Sequence, residues 1–410
     1  MWSFLNDRLT LPTQTYSAAV VSRDSTTQRL SKLLRAESAG GVTLSIGMVL
    51  AICWSALNPA GYNAFWHQPL TAGLEHWHVG TPHDIVANGI LTIFFFGVGL
   101  ELARELRRGH LTNRSTALLP AAAAVGGMVG TALLTVGLGV LSSSPALTRG
   151  WGVPMATDIA FALGALALVA RRIPRELRVF LLTLAIVDDV LSVIALAFSN
   201  PSVIRPLFLV LLPVSVFLLS FQRQRHLVLT LWVRVVATWF VLAAANVEPC
   251  LAGALVGITA PFTKTSPSLD RLELRVVNAA TWIALPLFAL TACGIDWRAI
   301  TWNGSTVTFV TLLGVARLIG KVLGIVGVVA WITRHRPELA PGTRGQLGGL
   351  AALCAVGFTV PLLFASQAYG PHSPEYFQTT VTLLAVSLIA AITGCTTLWL
   401  QGRDSSERTV

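Results

Sequence analysis

Charged side chains are scarce in this 410-residue chain. Asp, Glu, Lys and Arg make up 12% of the residues, whereas hydrophobic residues make up 54% and the mean hydropathy is +0.68. Soluble domains carry about 25% charged residues. The composition therefore excludes a soluble globular protein and indicates an all-α, polytopic membrane protein.

Cysteine is also rare, and its spacing excludes a disulfide framework or a zinc site. The five cysteines form no close pair, and most fall inside apolar runs: Cys53, Cys250, Cys293, Cys354 and Cys395. Cysteines placed in this way behave as small hydrophobic residues. We therefore expect them to be buried.

Apolar segments of about 20 residues, long enough to cross a bilayer, recur along the chain. Twelve are predicted, the eighth of them short: 40–57, 85–103, 117–141, 152–170, 177–199, 203–221, 226–245, 250–262, 276–295, 307–333, 347–368 and 378–400. The Ser/Thr-rich N-terminus lacks the order of a signal peptide. The predicted organisation is a cytosolic tail (1–39), one transmembrane domain (40–401) and a short cytosolic tail (402–410).

The basic residues predict the orientation. Most of the 29 Lys and Arg residues cluster in the N-terminal tail, in alternate loops and in the C-terminal tail, and these segments are assigned to the cytosol by the positive-inside rule. Only Arg149, Arg205 and Arg298 fall on the opposite side. Both termini are therefore predicted to be cytosolic. This distribution also explains the net charge of +10 without nucleic acid as a partner.

The first outer loop, residues 58–84, has no Lys or Arg but holds half of the eight histidines: His67, His76, His78 and His83. A surface metal site is one interpretation. The favoured one is a solvated loop with a short hairpin in HQPLTAGLEHWHVG.

Two adjacent carboxylates, Asp188 and Asp189, lie near the centre of the fifth span in LAIVDDVLSV. Ionisable residues inside a membrane are candidates for function. Lys321 in the tenth span is a natural counter-ion, but one lysine cannot neutralise both aspartates. A structural ion pair therefore explains one of them, and the pair predicts a site that exchanges a proton for a metal cation.

Two spans carry helix-breaking residues. The fourth contains Pro154, Thr157 and Asp158 in GWGVPMATDIAFALG. The eleventh contains LCAVGFTVPLLFASQAYG, with Gly357, Thr359 and Pro361. An ordinary kink is an alternative for Pro154, but interrupted spans at matching positions of two halves point to a transporter site. An inverted repeat would relate spans 3–5 to spans 10–12.

The facing helix ends of two such interruptions would need charges to compensate their dipoles. Asp158 and Lys321 are suitable in sign. Thr157 and Asp158 would supply oxygen ligands, which suit Na⁺ or Li⁺. Arg317 lies one turn before Lys321 on the same helical face, and the alternative to a role in the site is that it reaches towards the membrane surface.

At these residues the chain resembles the NhaA family of sodium/proton antiporters, itself a known example of inverted repeats. The matching motifs are FFFGVGLELAREL (94–106), GWGVPMATDIAFALGALALVARRIP (150–174), FLLTLAIVDDVLSVIALAF (180–198), LPLFAL (285–290), LIGKVLGI (318–325) and GFT (357–359). The resemblance implies the NhaA-like fold, with about 12 transmembrane helices and discontinuous helices crossing at spans 4 and 11.

The resemblance also implies roles for residues. Asp189 is expected to be the main cation and proton carboxylate, and Asp188 to pair with Lys321, while Thr157 and Asp158 match the unwound part of the fourth span. A pH-response cluster is expected at the cytosolic mouth, formed by Glu101, Arg104, Glu105 and Glu273.

The implied function is exchange of cytosolic Na⁺ or Li⁺ for two external protons by alternating access, without a cofactor. It would serve pH and sodium homeostasis in the bacterial inner membrane, and a homodimer is expected.

The chain departs from the family pattern at several positions. A family histidine near the eighth span is replaced in NVEPCLAG, which carries Glu248, and Arg317 is an added charge beside Lys321. We hypothesise that Arg317 alters proton coupling. Three other functions stay open: a Na⁺-coupled symporter, an ion sensor that no longer transports, and an intramembrane aspartyl protease using Asp158 with Asp188. The Gly-x-Gly-Asp motif that such a protease requires is missing around these aspartates.

Overall fold

The computed structural model describes residues 40–71, 78–108, 114–169, 173–198, 211–217, 226–245, 247–263, 266–294, 302–370 and 373–407. Within these ranges the fold is helical apart from one short hairpin. The helices are α1 Gly40–Leu57, α2 Pro59–His67, α3 Pro82–Arg108, α4 Arg114–Leu141, α5 Pro145–Arg149, α6 Ile159–Val169, α7 Arg175–Phe198, α8 Leu212–Phe217, α9 Leu227–Ala245, α10 Ala252–Gly257, α11 Pro267–Ala292, α12 Gly304–His335, α13 Arg344–Leu353, α14 Thr359–Tyr369 and α15 Pro374–Glu407.

Eight of the described helices are long and apolar enough to cross a membrane: α1, α3, α4, α7, α9, α11, α12 and α15. They correspond to predicted spans 1–3, 5, 7, 9, 10 and 12. Span 11 is divided into the shorter helices α13 and α14, whereas span 4 begins with a non-helical segment and contains α6 alone, with α5 preceding it. The expected crossing of discontinuous helices at these spans is not confirmed. Most of span 6 lies outside the described residues, and span 8 is a 3₁₀ turn (Pro249–Leu251) followed by α10. The expected number of twelve transmembrane helices is therefore not confirmed.

Glycines allow α4 and α12 to pack backbone against backbone. A Cβ atom added at Gly130 would lie 2.9 Å from the carbonyl oxygen of Gly320, and one added at Gly320 would lie 2.7 Å from Cα of Thr131. Any larger residue would push the helices apart. Gly127 similarly leaves space for the Lys321 stem, since a Cβ there would lie 3.3 Å from its Cδ. This close packing brings the charged face of α12 into the interior.

Helix α2 closes one end of the helix bundle with aromatic side chains. Tyr62 is 1% exposed, and its hydroxyl donates to the carbonyl oxygens of Leu290 (2.7 Å) and Thr291 (2.8 Å) near the end of α11. Burial raises the pKa of this phenol well above its usual value. Tyr62 therefore stays protonated and holds α2 against the transmembrane core.

The predicted hairpin in the first outer loop is confirmed. Strand β1 (Leu70–Thr71) pairs antiparallel with β2 (His78–Val79). The rings of His67 and His83 have centroids 5.3 Å apart, whereas His76 lies outside the described residues. Among the described residues, no three His, Cys, Asp or Glu side chains are arranged to hold a metal ion. The histidine-metal interpretation therefore has no support within the described residues.

The expected burial of cysteine holds only in part. Cys250, Cys293 and Cys354 are buried, but Cys53 is exposed and Cys395 is partly exposed. Residues on transmembrane helices also face lipid, so an apolar run does not guarantee burial inside the protein. The prediction was wrong for Cys53.

Candidate cation site between two interrupted helices

The two spans with helix-breaking residues both contain a non-helical segment, and these two segments lie against each other. The first segment joins α5 to α6, and the second joins α13 to α14. The backbone N–H of Asp158 donates to the carbonyl oxygen of Val356 (3.0 Å), and the Thr157 hydroxyl donates to that of Cys354 (2.6 Å). Backbone groups freed by the two interruptions thus satisfy each other, which permits non-helical chain inside a membrane protein.

The predicted break residues differ in their local role. Pro154 and Gly357 lie in the non-helical segments. Thr359 is the first residue of α14 and Pro361 the third. A proline is tolerated in the first turn of a helix, where its missing N–H has no intrahelical acceptor. Thr359 and Pro361 therefore lie just after the interruption, which corrects the expectation that both lie within the break.

Asp188 on α7 forms the expected ion pair with Lys321 on α12. Lys321 Nζ lies 2.6 Å from Asp188 Oδ1, and both side chains are fully buried. The other carboxylate oxygen, Oδ2, accepts a hydrogen bond from the backbone N–H of Thr157 (2.9 Å). Both oxygens of Asp188 are thus engaged, one by a cation and one by the first non-helical segment.

The neighbouring Asp189 has a different environment. It is 4% exposed, and its Oδ1 is buried with no hydrogen-bond partner among the described residues. Neighbouring residues of a helix point about 100° apart, because a turn contains 3.6 residues. Asp189 consequently faces away from the Asp188–Lys321 pair and keeps oxygen available for a ligand.

Sequence reasoning missed Ser192, one turn after Asp189 on the same face of α7. Ser192 is fully buried, and within the described chain its hydroxyl has no hydrogen-bond partner. Many helical hydroxyls of this protein bond instead to a carbonyl of the preceding turn, as Thr131 does to Gly127 (2.9 Å). The signal was present in LAIVDDVLSV, as the polar residue three positions after the second aspartate.

Asp158 is at the junction of both interrupted helices. Its Oδ2 accepts from the hydroxyl (3.1 Å) and the backbone N–H (3.4 Å) of Thr359, the first residue of α14. A negative charge at a helix N-terminus is stabilised by the helix dipole. Asp158 therefore lies where its charge would favour the dipole of α14, as the prediction requires.

The cation that compensates the interruptions is Arg317 and not Lys321, which corrects the sequence-based expectation. Arg317 is 1% exposed. Its guanidinium donates to three carbonyl oxygens: Ala355 (Nε, 2.8 Å), Ala156 (Nη2, 2.9 Å) and Val153 (Nη1, 3.3 Å). Reaching towards the membrane surface, the alternative considered from the sequence, is thereby excluded.

The site brings together three carboxylates and two cations, all buried: Asp158, Asp188, Asp189, Arg317 and Lys321. The two atoms here without a partner in the described part of the chain, Asp189 Oδ1 and Ser192 Oγ, are oxygens, which suit a hard cation more than a soft transition metal. The interruptions and the ion pair hold the oxygens in place. Chemically, the site can hold either a proton or a small cation.

The four residues that were predicted to form a pH-response cluster lie together. Arg104 on α3 lies between three carboxylates, with contacts of 2.8 Å to Glu273, 3.0 Å to Glu105 and 3.8 Å to Glu101. Glu273 comes from α11, so one arginine joins the ends of two transmembrane helices. The structure confirms that these four residues meet.

A cavity of about 500 Å³ opens beside the first interruption. Its walls include Arg149 at the end of α5, Trp151 and Val153 in the first non-helical segment, and Phe364 and Gln367 on α14. Val153 is one of the residues whose carbonyl accepts from Arg317. The cavity therefore reaches the neighbourhood of the charged site.

Known proteins resemble this chain in sequence over most of its length. The family model described as Na⁺/H⁺ antiporter 1 matches residues 31–398. The Na(+)/H(+) antiporter NhaA 1 of Kineococcus radiotolerans is 36% identical over 404 residues, covering 92% of this chain and 90% of the relative. The Na(+)/H(+) antiporter NhaA of Mycolicibacterium smegmatis is 34% identical over 391 residues, covering 92% of this chain and 90% of the relative. That of Arthrobacter sp. strain FB24 is 33% identical over 407 residues, covering 92% of this chain and 86% of the relative. The chain belongs to the Na⁺/H⁺ antiporter 1 family, that of the NhaA antiporters.

Proposed function

We propose that the protein is a secondary antiporter that exchanges cytosolic Na⁺, or Li⁺, for external H⁺. The observation that carries the proposal is the arrangement of the adjacent aspartates, in which Asp188 is fully paired while Asp189 keeps a buried oxygen without a hydrogen-bond partner among the described residues. A carboxylate in this position binds a proton or a cation, but not both at once. Competition for Asp189 then couples the two fluxes.

Asp189 would be the main cation ligand, and Thr157, Asp158 and Ser192 would supply the further oxygens. The ion pair of Asp188 with Lys321 would couple a second proton to cation binding, so two protons would exchange for one Na⁺. Two protons carry one positive charge more than one Na⁺, and the cycle would therefore be electrogenic.

Alternating access would move the two interrupted helices, α5–α6 and α13–α14, as crossing elements of an inverted repeat. The 500 Å³ cavity would be the external route, and the cluster around Arg104 would respond to pH at the cytosolic mouth. The positive-inside distribution of Lys and Arg supports cytosolic termini in the bacterial inner membrane. Residues 40–401 would form the transmembrane domain, acting within a homodimer, and the activity would serve pH and sodium homeostasis.

The test is a fluorescent ΔpH assay in everted membrane vesicles, comparing Na⁺, Li⁺ and K⁺ from acidic to alkaline pH. Wild-type protein is expected to dissipate the proton gradient when Na⁺ or Li⁺ is added, and Asp189→Asn to abolish the response. The control is Glu338→Gln, which removes an exposed carboxylate far from the site and should leave the response unchanged. In proteoliposomes, an imposed membrane potential should change the exchange rate.

Three results would contradict the proposal. A response that survives Asp189→Asn would exclude Asp189 as the coupling group. Na⁺ and H⁺ moving in the same direction would indicate a symporter. Cation binding without any flux would indicate a sensor. An exchange rate that does not change with the membrane potential would refute the stoichiometry of two protons per Na⁺, although exchange itself would still be supported.

A further inference from the structure

Arg317 contacts both interrupted segments at once, although they are about 200 residues apart in the chain. Val153 and Ala156 belong to the first segment, and Ala355 belongs to the second. A guanidinium carries five N–H donors in a fixed planar arrangement, so it can hold several acceptors at defined angles, which an ammonium on a flexible stem cannot do. The geometry of this contact therefore depends on arginine in particular and not on positive charge alone.

The second segment is shaped to receive the guanidinium. A Cβ atom added at Gly357 would overlap Nη2 of Arg317 and would lie 2.7 Å from the carbonyl oxygen of Ala156. The backbone N–H of Gly357 also donates to Ser387 Oγ on α15 (3.2 Å). Glycine at this position leaves the space through which Arg317 reaches Ala156.

The contact of Arg317 with Ala156 lies next to the residues that carry the proposed site. Thr157 follows Ala156 directly and donates its backbone N–H to Asp188 (2.9 Å), and Asp158 comes next. One turn further along α12, Lys321 pairs with the same Asp188. One face of α12 thus contacts both non-helical segments through Arg317 and contacts α7 through Lys321.

We propose that Arg317 is a positioning residue for the cation site, which holds the two interrupted segments together so that Thr157 and Asp158 stand beside Asp189. This rests on the proposed antiport function. It has a second consequence, since the carbonyl oxygens of Val153, Ala156 and Ala355 are engaged by the guanidinium. These three carbonyl oxygens serve to position the segments, and the cation is bound mainly by side-chain oxygens without contact to Arg317.

The test compares Arg317→Lys with Arg234→Lys in the vesicle assay, measuring the Na⁺ KM and the maximal rate separately. Arg234 is a matched control, because it is a buried arginine in α9 whose guanidinium donates to the Val216 carbonyl (2.5 Å) and to Thr259. Arg317→Lys keeps the positive charge, but its ammonium group cannot donate hydrogen bonds to all three carbonyl oxygens. The variant is expected to raise the Na⁺ KM about tenfold, because at least one charge-assisted hydrogen bond that positions the site is lost. Its maximal rate should stay close to that of wild type. Arg234→Lys should leave the KM unchanged.

Gly357→Ala provides a second test if Arg317→Lys does not accumulate in the membrane. It leaves the arginine in place but displaces its guanidinium, and it should raise the Na⁺ KM in the same way. A lowered melting temperature with an unchanged KM in either variant would show a purely structural role and overturn the proposal. Failure of the antiport function would look different, because the wild type itself would then show no cation-dependent response.

Discussion

The buried ion pair between Lys321 and Asp188 allows a prediction about stability that is independent of transport. Lys321→Met keeps most of the side-chain volume but leaves the Asp188 carboxylate with the Thr157 N–H as its remaining partner among the contacts described above. Removing one partner of a fully buried pair costs about 3–5 kcal/mol, because a buried charge is left uncompensated. We expect the lower end of this range, since the Thr157 hydrogen bond remains.

The double variant Asp188→Asn with Lys321→Met should be more stable than Lys321→Met alone. It contains no uncompensated charge, and an asparagine oxygen can still accept from Thr157. Replacing both members of a buried pair is often close to neutral. The assay is the melting temperature of the detergent-purified protein, followed by tryptophan fluorescence.

The matched comparison is Asp270→Asn, which breaks the pair of Asp270 with Arg108 (3.0 Å) on the surface. The Asp270 side chain is 43% exposed, so its charge remains solvated and the loss should be at most about 1 kcal/mol. The reasoning would be refuted if Lys321→Met melted at the wild-type temperature. It would also be refuted if the double variant were no more stable than Lys321→Met at neutral pH.

Two further predictions concern residues that the sequence motifs did not assign to the site. Ser192→Ala should raise the Na⁺ KM about fivefold, the effect of losing about 1 kcal/mol from one oxygen ligand, while Ser192→Thr should restore it; an unchanged KM for Ser192→Ala would remove Ser192 from the site. Glu248 accepts from Gln367 Nε2 (3.3 Å), and burial raises the pKa of its carboxyl. Because the fold disfavours the charged form, stability should fall as the pH rises through this raised pKa. Glu248→Gln should therefore raise the melting temperature at neutral pH but not at acidic pH, and an equal gain at both would contradict this.

The sequence by itself determined the class of protein, the position of most spans and the short set of charged residues in the apolar segments. These are local properties, since about 20 consecutive apolar residues form a membrane-spanning helix almost regardless of their neighbours. The adjacent aspartates and the motifs around them were also enough to identify the family. Even the two interruptions were readable, because glycine and proline act on the backbone at their own position.

Only the tertiary structure decided the partners of Arg317. The pair of Asp188 with Lys321 was expected from the family resemblance, but nothing in the sequence showed that Arg317, one turn earlier on α12, holds three backbone carbonyls. These carbonyls lie up to about 160 residues away along the chain. The contact depends on the close packing of α4 against α12 and on the way the two interruptions meet, and no local pattern encodes such long-range geometry. For the same reason Ser192 emerged as a candidate ligand only when its burial and its lack of a described partner were known.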